Sequence, residues 1–161
     1  MDANTRNAWL RASDADLMRD CNEERYRASG PGGQRRNKVE TAIRLHHGPS
    51  GVSAHAEDSR SPEGNRARAL ARLRERIAFE VRAPFEGTPP EFESQRRGET
   101  LSVSSKNPRF SIIAATTLDA LAAAGDSYAA AARALGLTTS QLLKFMQSDR
   151  ELWRAVSEMR G

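Results

Sequence analysis

The chain has one cysteine, Cys21, in 161 residues. A lone thiol cannot build an intramolecular disulfide framework or a cysteine-cluster zinc site, and it fits a reducing compartment. No stretch approaches the ~18 consecutive apolar residues of a membrane-spanning helix. Met1 to Ala12 lacks the apolar core of a secretory leader. A cytoplasmic protein with no membrane partner is therefore expected. Lysine is scarce, three against 22 arginines. The planar guanidinium suits phosphate recognition, but GC-rich coding produces the same excess, so the ratio decides little. Histidine is also sparse. His46, His47 and His55 fall in one predicted hairpin, and their pattern assembles neither a metal site nor a Ser-His-Asp triad. They read as surface histidines, with no metal and no cofactor implied.

What is present is polar: 38% hydrophobic and 29% charged residues, with a net charge of +4. The length suits one modest domain plus a small second module. The charge is uneven. Residues 25–76 hold twelve Arg and Lys against five Asp and Glu, a local +7, and the remainder is −3. A partner rich in phosphate would dock on the middle of the chain.

Patterning predicts an α+β fold: a small mixed β-sheet with a long packing helix, then an all-α C-terminal module. Residues 1–12 read as a flexible N-terminus. Ser13 is a candidate N-cap for a short helix with Asp14 and Asp16 in its first turn. A strand is expected over about 23–28, with Tyr26 its best inward residue. Val39, Thr41, Ile43 and Leu45 alternate with Glu40, Ala42, Arg44 and His46, and the 47–51 turn signal makes this a β-hairpin. Ser61-Pro62 opens a long helix. Its apolar stripe is Leu70, Leu73, Ile77 and Val81; Arg68, Arg72 and Arg76 lie opposite. The proline-, glycine- and glutamate-bearing stretch 83–107 reads as a linker. Helices follow near 111–124, 127–135, 139–147 and 149–160. The domain reading is thus 13–82, then 108–161 across the linker.

Residues 29–38 are the chain's most informative segment: Ser29-Gly30-Pro31-Gly32-Gly33-Gln34-Arg35-Arg36-Asn37-Lys38. Glycine permits close backbone approach, so the run reads as a loop presenting Gln34 at a crowded site with cations beside it. A phosphate-binding P-loop is excluded because no Lys-Ser or Lys-Thr follows the glycines. A dinucleotide fingerprint needs a helix directly after them, and a β pattern follows instead.

Gly32-Gly33-Gln34 resembles the GGQ signature of class I peptide-chain release factors and the related codon-independent ribosome-rescue hydrolases. The flanks extend the likeness: Arg27-Ala28-Ser29-Gly30 before it, Asn37 to Leu45 after it, then Pro49-Ser50-Gly51-Val52, Arg60-Ser61 and Asn65-Arg66. It covers roughly residues 14–82. The resemblance implies ribosome-dependent hydrolysis of the peptidyl-tRNA ester. Gly32 and Gly33 would permit the backbone conformation, the Gln34 N–H would stabilise the leaving 3′ oxygen, and its side chain would limit access to water. Such an oxyanion donor is typically worth on the order of 10²–10³ in rate. It further implies the ribosome as partner, through large-subunit RNA and P-site peptidyl-tRNA, and a glutamine methyltransferase acting on Gln34. Arg35, Arg36, Asn37 and Lys38 are candidate RNA contacts. Arg27, Arg44, Arg60 and Arg66 could add phosphate contacts or pair with Glu40, Glu57, Asp58 or Glu63.

Three departures qualify the likeness. Arg35-Arg36 stands where His-Val is common, and Pro62 where glutamine is common. Residues 132–161 carry five Arg and Lys against three Asp and Glu and read as helical, where rescue hydrolases end in a basic tail. The length leaves no room for decoding domains, so release without stop-codon reading is the expectation. The alternatives are a non-catalytic ribosome- or RNA-binding factor, and a DNA-binding regulator. The latter rests on the helix-turn-helix-like run Ala131 to Leu143. Its second helix offers only Lys144 as a cation, which favours a packing or protein-binding module with an unidentified partner.

Overall fold

The computed structural model describes residues 1–28 and 40–161. The chain divides into two compact units, Ala12–Ile77 and the pair of segments Met1–Arg11 and Ala78–Gly161.

The Ala12–Ile77 unit opens with α2 (Asp14–Arg19), which follows α1 (Ala3–Arg11) of the other unit. Ser13 Oγ accepts the Asp16 N–H at 3.1 Å, satisfying one of the helix's otherwise unpaired first-turn donors. Three strands follow, β1 (Cys21–Tyr26), β2 (Ala42–His47) and β3 (Ser53–Ala56). They form one sheet in sequence order. Among the described residues both pairings are antiparallel, and the small sheet with its long helix and the C-terminal helices make the expected α+β fold. The short β2–β3 turn can join only antiparallel neighbours. Ile43 faces Ala56 and Leu45 faces Ala54, and all four are buried on one side. Gly51 adopts φ +73°, closing the β2–β3 turn in a conformation side chains resist.

α3 (Pro62–Glu80) supplies the other layer. Ser61 Oγ caps it by accepting the Gly64 N–H at 3.0 Å. Leu70, Leu73 and Ile77 are buried, as their spacing predicts; Val81 lies just past the helix and is half-buried. The arginines on the same helix do not simply face water. Arg72 Nη1 donates to His55 O at 3.0 Å, and Arg76 Nη1 donates to Ser53 O. These carbonyls belong to β3, the edge strand of this sheet among the described residues, so the guanidinia cover that edge.

In the second unit, α1, α4 (Pro90–Gln95), a two-residue-per-strand hairpin of β4 (Arg96–Arg97) and β5 (Thr100–Leu101), and four helices surround one core. These are α5 (Phe110–Ala123), α6 (Tyr128–Leu135), α7 (Thr139–Gln147) and α8 (Arg150–Arg160). Every residue from Phe110 to Leu121 is buried, making α5 the central helix. Two of its hydroxyls are satisfied within the helix: Thr116 and Thr117 Oγ1 each donate to the carbonyl four residues back at 2.8 Å.

Two expectations fail in this unit. Residues 1–12 are not a flexible N-terminus, since α1 buries Arg6, Asn7 and Leu10. Arg6 is fully buried and lies 2.7 Å from Asp119, which also accepts from Arg82 at 2.8 Å and from the Ala83 N–H at 3.0 Å. Burial raises the Asp119 carboxyl above its ordinary range, against the pull of Arg82, the Ala83 N–H and Arg6; burial likewise lowers the Arg82 guanidinium to about 10. Nor is 83–107 a plain linker, because Phe92, Leu101 and Val103 belong to the core with Leu118, Leu135 and Phe145.

Candidate functional site

The site is best approached from the strands that hold its ends. β1 and β2 are adjacent and antiparallel, and their last registered pair is Tyr26 with Ala42. The chain therefore leaves the sheet and returns to it at one place, with fifteen residues, 27–41, between. Gly32, Gly33, Gln34, Arg35, Arg36, Asn37 and Lys38 lie outside the described residues. Their flanks do not: Ala28 and Thr41 are buried, whereas Arg27 and Glu40 are exposed.

Asn65 fixes the returning end. It is wholly buried in the first turns of α3, and its Nδ2 donates to Thr41 O at 2.8 Å and to Ser59 O at 3.0 Å. Its Oδ1 accepts the Ser59 N–H at 2.8 Å. One amide thus ties together the chain re-entering β2, the turn before α3 and α3 itself. A buried asparagine with its hydrogen bonds met specifies one geometry, because any shift strands a polar group. Sequence reading placed Asn65 in the resemblance but gave it no role. The signal was there: an asparagine three residues into a Ser-Pro-capped helix, short enough to bond backbone on either side.

The departing end is held by charge. Glu23 and Arg25 lie on the same side of the sheet as Ile43 and Leu45. Glu23 receives Arg66 of α3 in a two-pronged bond, Nε to Oε2 at 2.6 Å and Nη2 to Oε1 at 2.8 Å. Arg66 holds the Glu23 carboxyl below its usual range, and Glu23 in turn raises the Arg66 guanidinium. Tyr26 lies on the opposite side, not inward as expected. Its ring sits 4.7 Å under the Arg44 guanidinium, and its hydroxyl donates to Glu57 Oε2 at 3.5 Å. Arg44 also donates to its cross-strand partner Glu24 at 3.1 Å.

The candidate phosphate contacts therefore separate. Arg44 and Arg66 are engaged within the protein, by Glu24 and Glu23 rather than by any acid the sequence reading named. Arg27 and Arg60 are exposed. Arg68 and Arg72 share Asp58, at 3.3 and 2.5 Å, and Arg72 most of all holds that carboxyl down to about 2.

The histidines have local structural roles. His46 Nδ1 is 2.7 Å from Ser53 Oγ, its cross-strand partner. His47 is buried, with Nδ1 2.6 Å from Ser50 Oγ, and it also accepts the Ser50 N–H at 3.3 Å. Two donors on Nδ1 require that nitrogen to be bare, so the ring is neutral with its proton on Nε2. Burial lowers its pKa accordingly. Among the described residues no group of three His, Cys, Asp or Glu is placed to hold a metal ion, and no helix is long and apolar enough to cross a membrane.

The described residues thus anchor both ends of the segment that carries Gly32-Gly33-Gln34 in the sequence. The RF-1 domain model matches residues 16–112. Peptide chain release factor 1 of Leptothrix cholodnii (strain ATCC 51168 / LMG 8142 / SP-6) is 51% identical over 57 residues, 35% of this chain and 16% of that protein. Peptide chain release factor 2 of Acidovorax sp. (strain JS42) is 46% identical over 68 residues, 42% of this chain and 18% of that protein. Peptide chain release factor 1 of Caldicellulosiruptor saccharolyticus (strain ATCC 43494 / DSM 8903 / Tp8T 6331) is 40% identical over 80 residues, half of this chain and 22% of that protein. The chain thus matches only about a fifth of the length of these curated relatives. With the match to the family model spanning more than half of its own residues, the chain belongs to the RF-1 domain family, that of the class I release factor GGQ domain.

Proposed function

We propose that this protein hydrolyses the ester of ribosome-bound peptidyl-tRNA, with Gly32, Gly33 and Gln34 as the catalytic residues, and that it does so without reading a stop codon. The observation that carries the reading is the RF-1 match over 16–112, which takes in the whole loop and its anchors at Tyr26, Thr41 and Asn65.

Ester hydrolysis needs a positioned water, donors for developing negative charge and exclusion of stronger nucleophiles. The Gln34 N–H would meet the leaving 3′ oxygen, and the neutral side chain would admit water while excluding larger nucleophiles. No strong base is required of this chain, since ribosomal RNA and the tRNA surround the reaction. Arg27, Arg35, Arg36, Lys38 and Arg60 would contact ribosomal RNA; Arg44 and Arg66 serve the base of the loop. Gln34 is also where a glutamine methyltransferase would act.

The shared stretch with the release factors is the RF-1 region, and release uncoupled from a stop codon is the finer part of the proposal. The test is peptide release from ribosomes holding P-site peptidyl-tRNA, with the A-site codon empty, sense or stop. Release at similar rates in all three states supports the whole reading. Release at stop codons alone contradicts the codon-independent part, and no release in any state contradicts the hydrolysis.

A further inference from the structure

We propose that the outer face of α7 is a docking surface for double-stranded RNA. The inference rests on the ribosomal reading above for where such RNA is met, but its chemistry is independent of the GGQ loop. From Ser127 to Ser148 the chain has no aspartate or glutamate, and its only charges are Arg133 and Lys144. Both are exposed, and neither forms an ion pair with any described residue; the same holds for Arg150, which opens α8. Other arginines of this unit are paired, among them Arg11 with Glu91 and Arg96 with Glu93.

α7 divides cleanly. Leu142, Phe145 and Met146 are buried, while Thr139, Ser140, Lys144 and Gln147 are exposed. Ser140, Lys144 and Gln147 stand at i, i+4 and i+7, one line along the helix. The face is rigidly held. Gly136 ends α6 at φ +71°, and the Arg96 guanidinium packs against it, so close that a Cβ there would meet Nη1 at 3.3 Å. Thr138 Oγ1 then caps α7 by accepting the Gln141 N–H at 3.2 Å, and the Thr138 N–H donates to Glu99 O at 3.3 Å.

Charge and side-chain type select the partner. A protein partner would need large apolar or aromatic anchors, and Met1 is the one exposed large hydrophobic residue among those described. This counts against the protein-binding module expected from sequence. Cations without acids fit a phosphate backbone. Ser, Thr and Gln side chains both donate and accept, which matches the 2′-hydroxyls lining the wide, shallow minor groove of RNA duplexes. Reading the deeper DNA major groove relies chiefly on long cationic or amide side chains, and the exposed hydroxyls of Thr139 and Ser140 are neither.

The experiment is fluorescence anisotropy of the full-length protein with a labelled RNA duplex of about 16 base pairs, and with the DNA duplex of the same sequence. The wild type should bind the RNA at least fivefold more tightly than the DNA. The variant Ser140→Glu, Lys144→Glu, Gln147→Glu should lose at least tenfold in RNA affinity with an unchanged circular dichroism spectrum. Lys144→Gln, a change at an exposed position, should lose two- to fourfold and reduce the slope of log K against log salt by about 0.7–0.9. Equal affinity for DNA overturns the assignment to RNA, and no loss in either variant overturns the surface itself. Gln34→Ala should leave this binding intact. Absent peptide release with intact RNA binding would therefore count against the hydrolase reading alone, and intact release with unaffected variants against this surface alone.

Discussion

Asn65 holds Thr41 O, Ser59 O and the Ser59 N–H with one side chain. Asn65→Ala strands these groups in a buried site and should destabilise the Ala12–Ile77 unit by about 1–3 kcal/mol, since each unmet buried partner carries that order of cost. Urea denaturation measures it, and a loss under about 0.5 kcal/mol would show that water replaces the amide. Because the same bonds position the end of the loop, peptide release should fall by more than the unfolded fraction explains. Residue roles were only partly legible in sequence. The glycines and Gln34 stood out by composition, and they lie outside the described residues. Arg44 and Arg66 did not reveal their partners, because those depend on register. Only the β1–β2 pairing places Glu24 beside Arg44, and only α3 lying across the sheet brings Arg66 to Glu23.

Among the elements, the β2–β3 hairpin was the plainest in sequence. Alternation and a glycine-proline turn are local signals, and β2 and β3 lie within the stretch they marked, with β2 starting at Ala42. Its turn carries a pH dependence that the pattern did not show. His47 is buried and neutral, and its folded pKa lies below the ordinary 6.5. Below pH 6.5 the unfolded chain binds the proton first, so stability falls as pH drops towards the folded pKa and is level above 6.5. The slope can reach about 1.4 kcal/mol per pH unit for one such proton. His47→Asn keeps an acceptor near the Nδ1 position without titrating, and should flatten the decline in melting temperature between about pH 6.5 and 5. An identical decline in wild type and variant would assign it to carboxylates instead. The hidden elements were those whose apolar signals are short or interrupted. α1 was missed because Arg6 and Asn7 occupy buried positions where apolar residues are expected. The β4–β5 hairpin was missed because two-residue strands show no alternation, and its Gly98 turn and the prolines upstream resemble a linker.

Across the whole molecule, the two ends of the chain build one unit and the RF-1 sheet with most of α3 builds the other. The buried Arg6–Asp119 pair joins residues 113 positions apart in sequence, so the N-terminal helix is part of the core that the C-terminal helices need. Arg6→Ala leaves Asp119 with Arg82 as its remaining cation and should cost about 3 kcal/mol, the lower end for breaking a buried pair. Hydrogen exchange should show the loss as deprotection of α5 with little change in β2. Uniform deprotection of both units would mean that they unfold together. This organisation was illegible in sequence, because a polar helix of nine residues announces no distant partner.

The central claim is that Gly32-Gly33-Gln34 releases peptide from ribosome-bound tRNA. Its most direct measurement is the single-turnover rate of peptide release at saturating protein, comparing wild type with Gln34→Ala and Gly33→Ala on ribosomes with an empty A-site codon. The account predicts release by the wild type and a fall on the order of 10² or more in Gly33→Ala, where the backbone donor is misplaced. It predicts a smaller fall in Gln34→Ala, which keeps the N–H. Equal rates in all three proteins, or no release by the wild type, would contradict it.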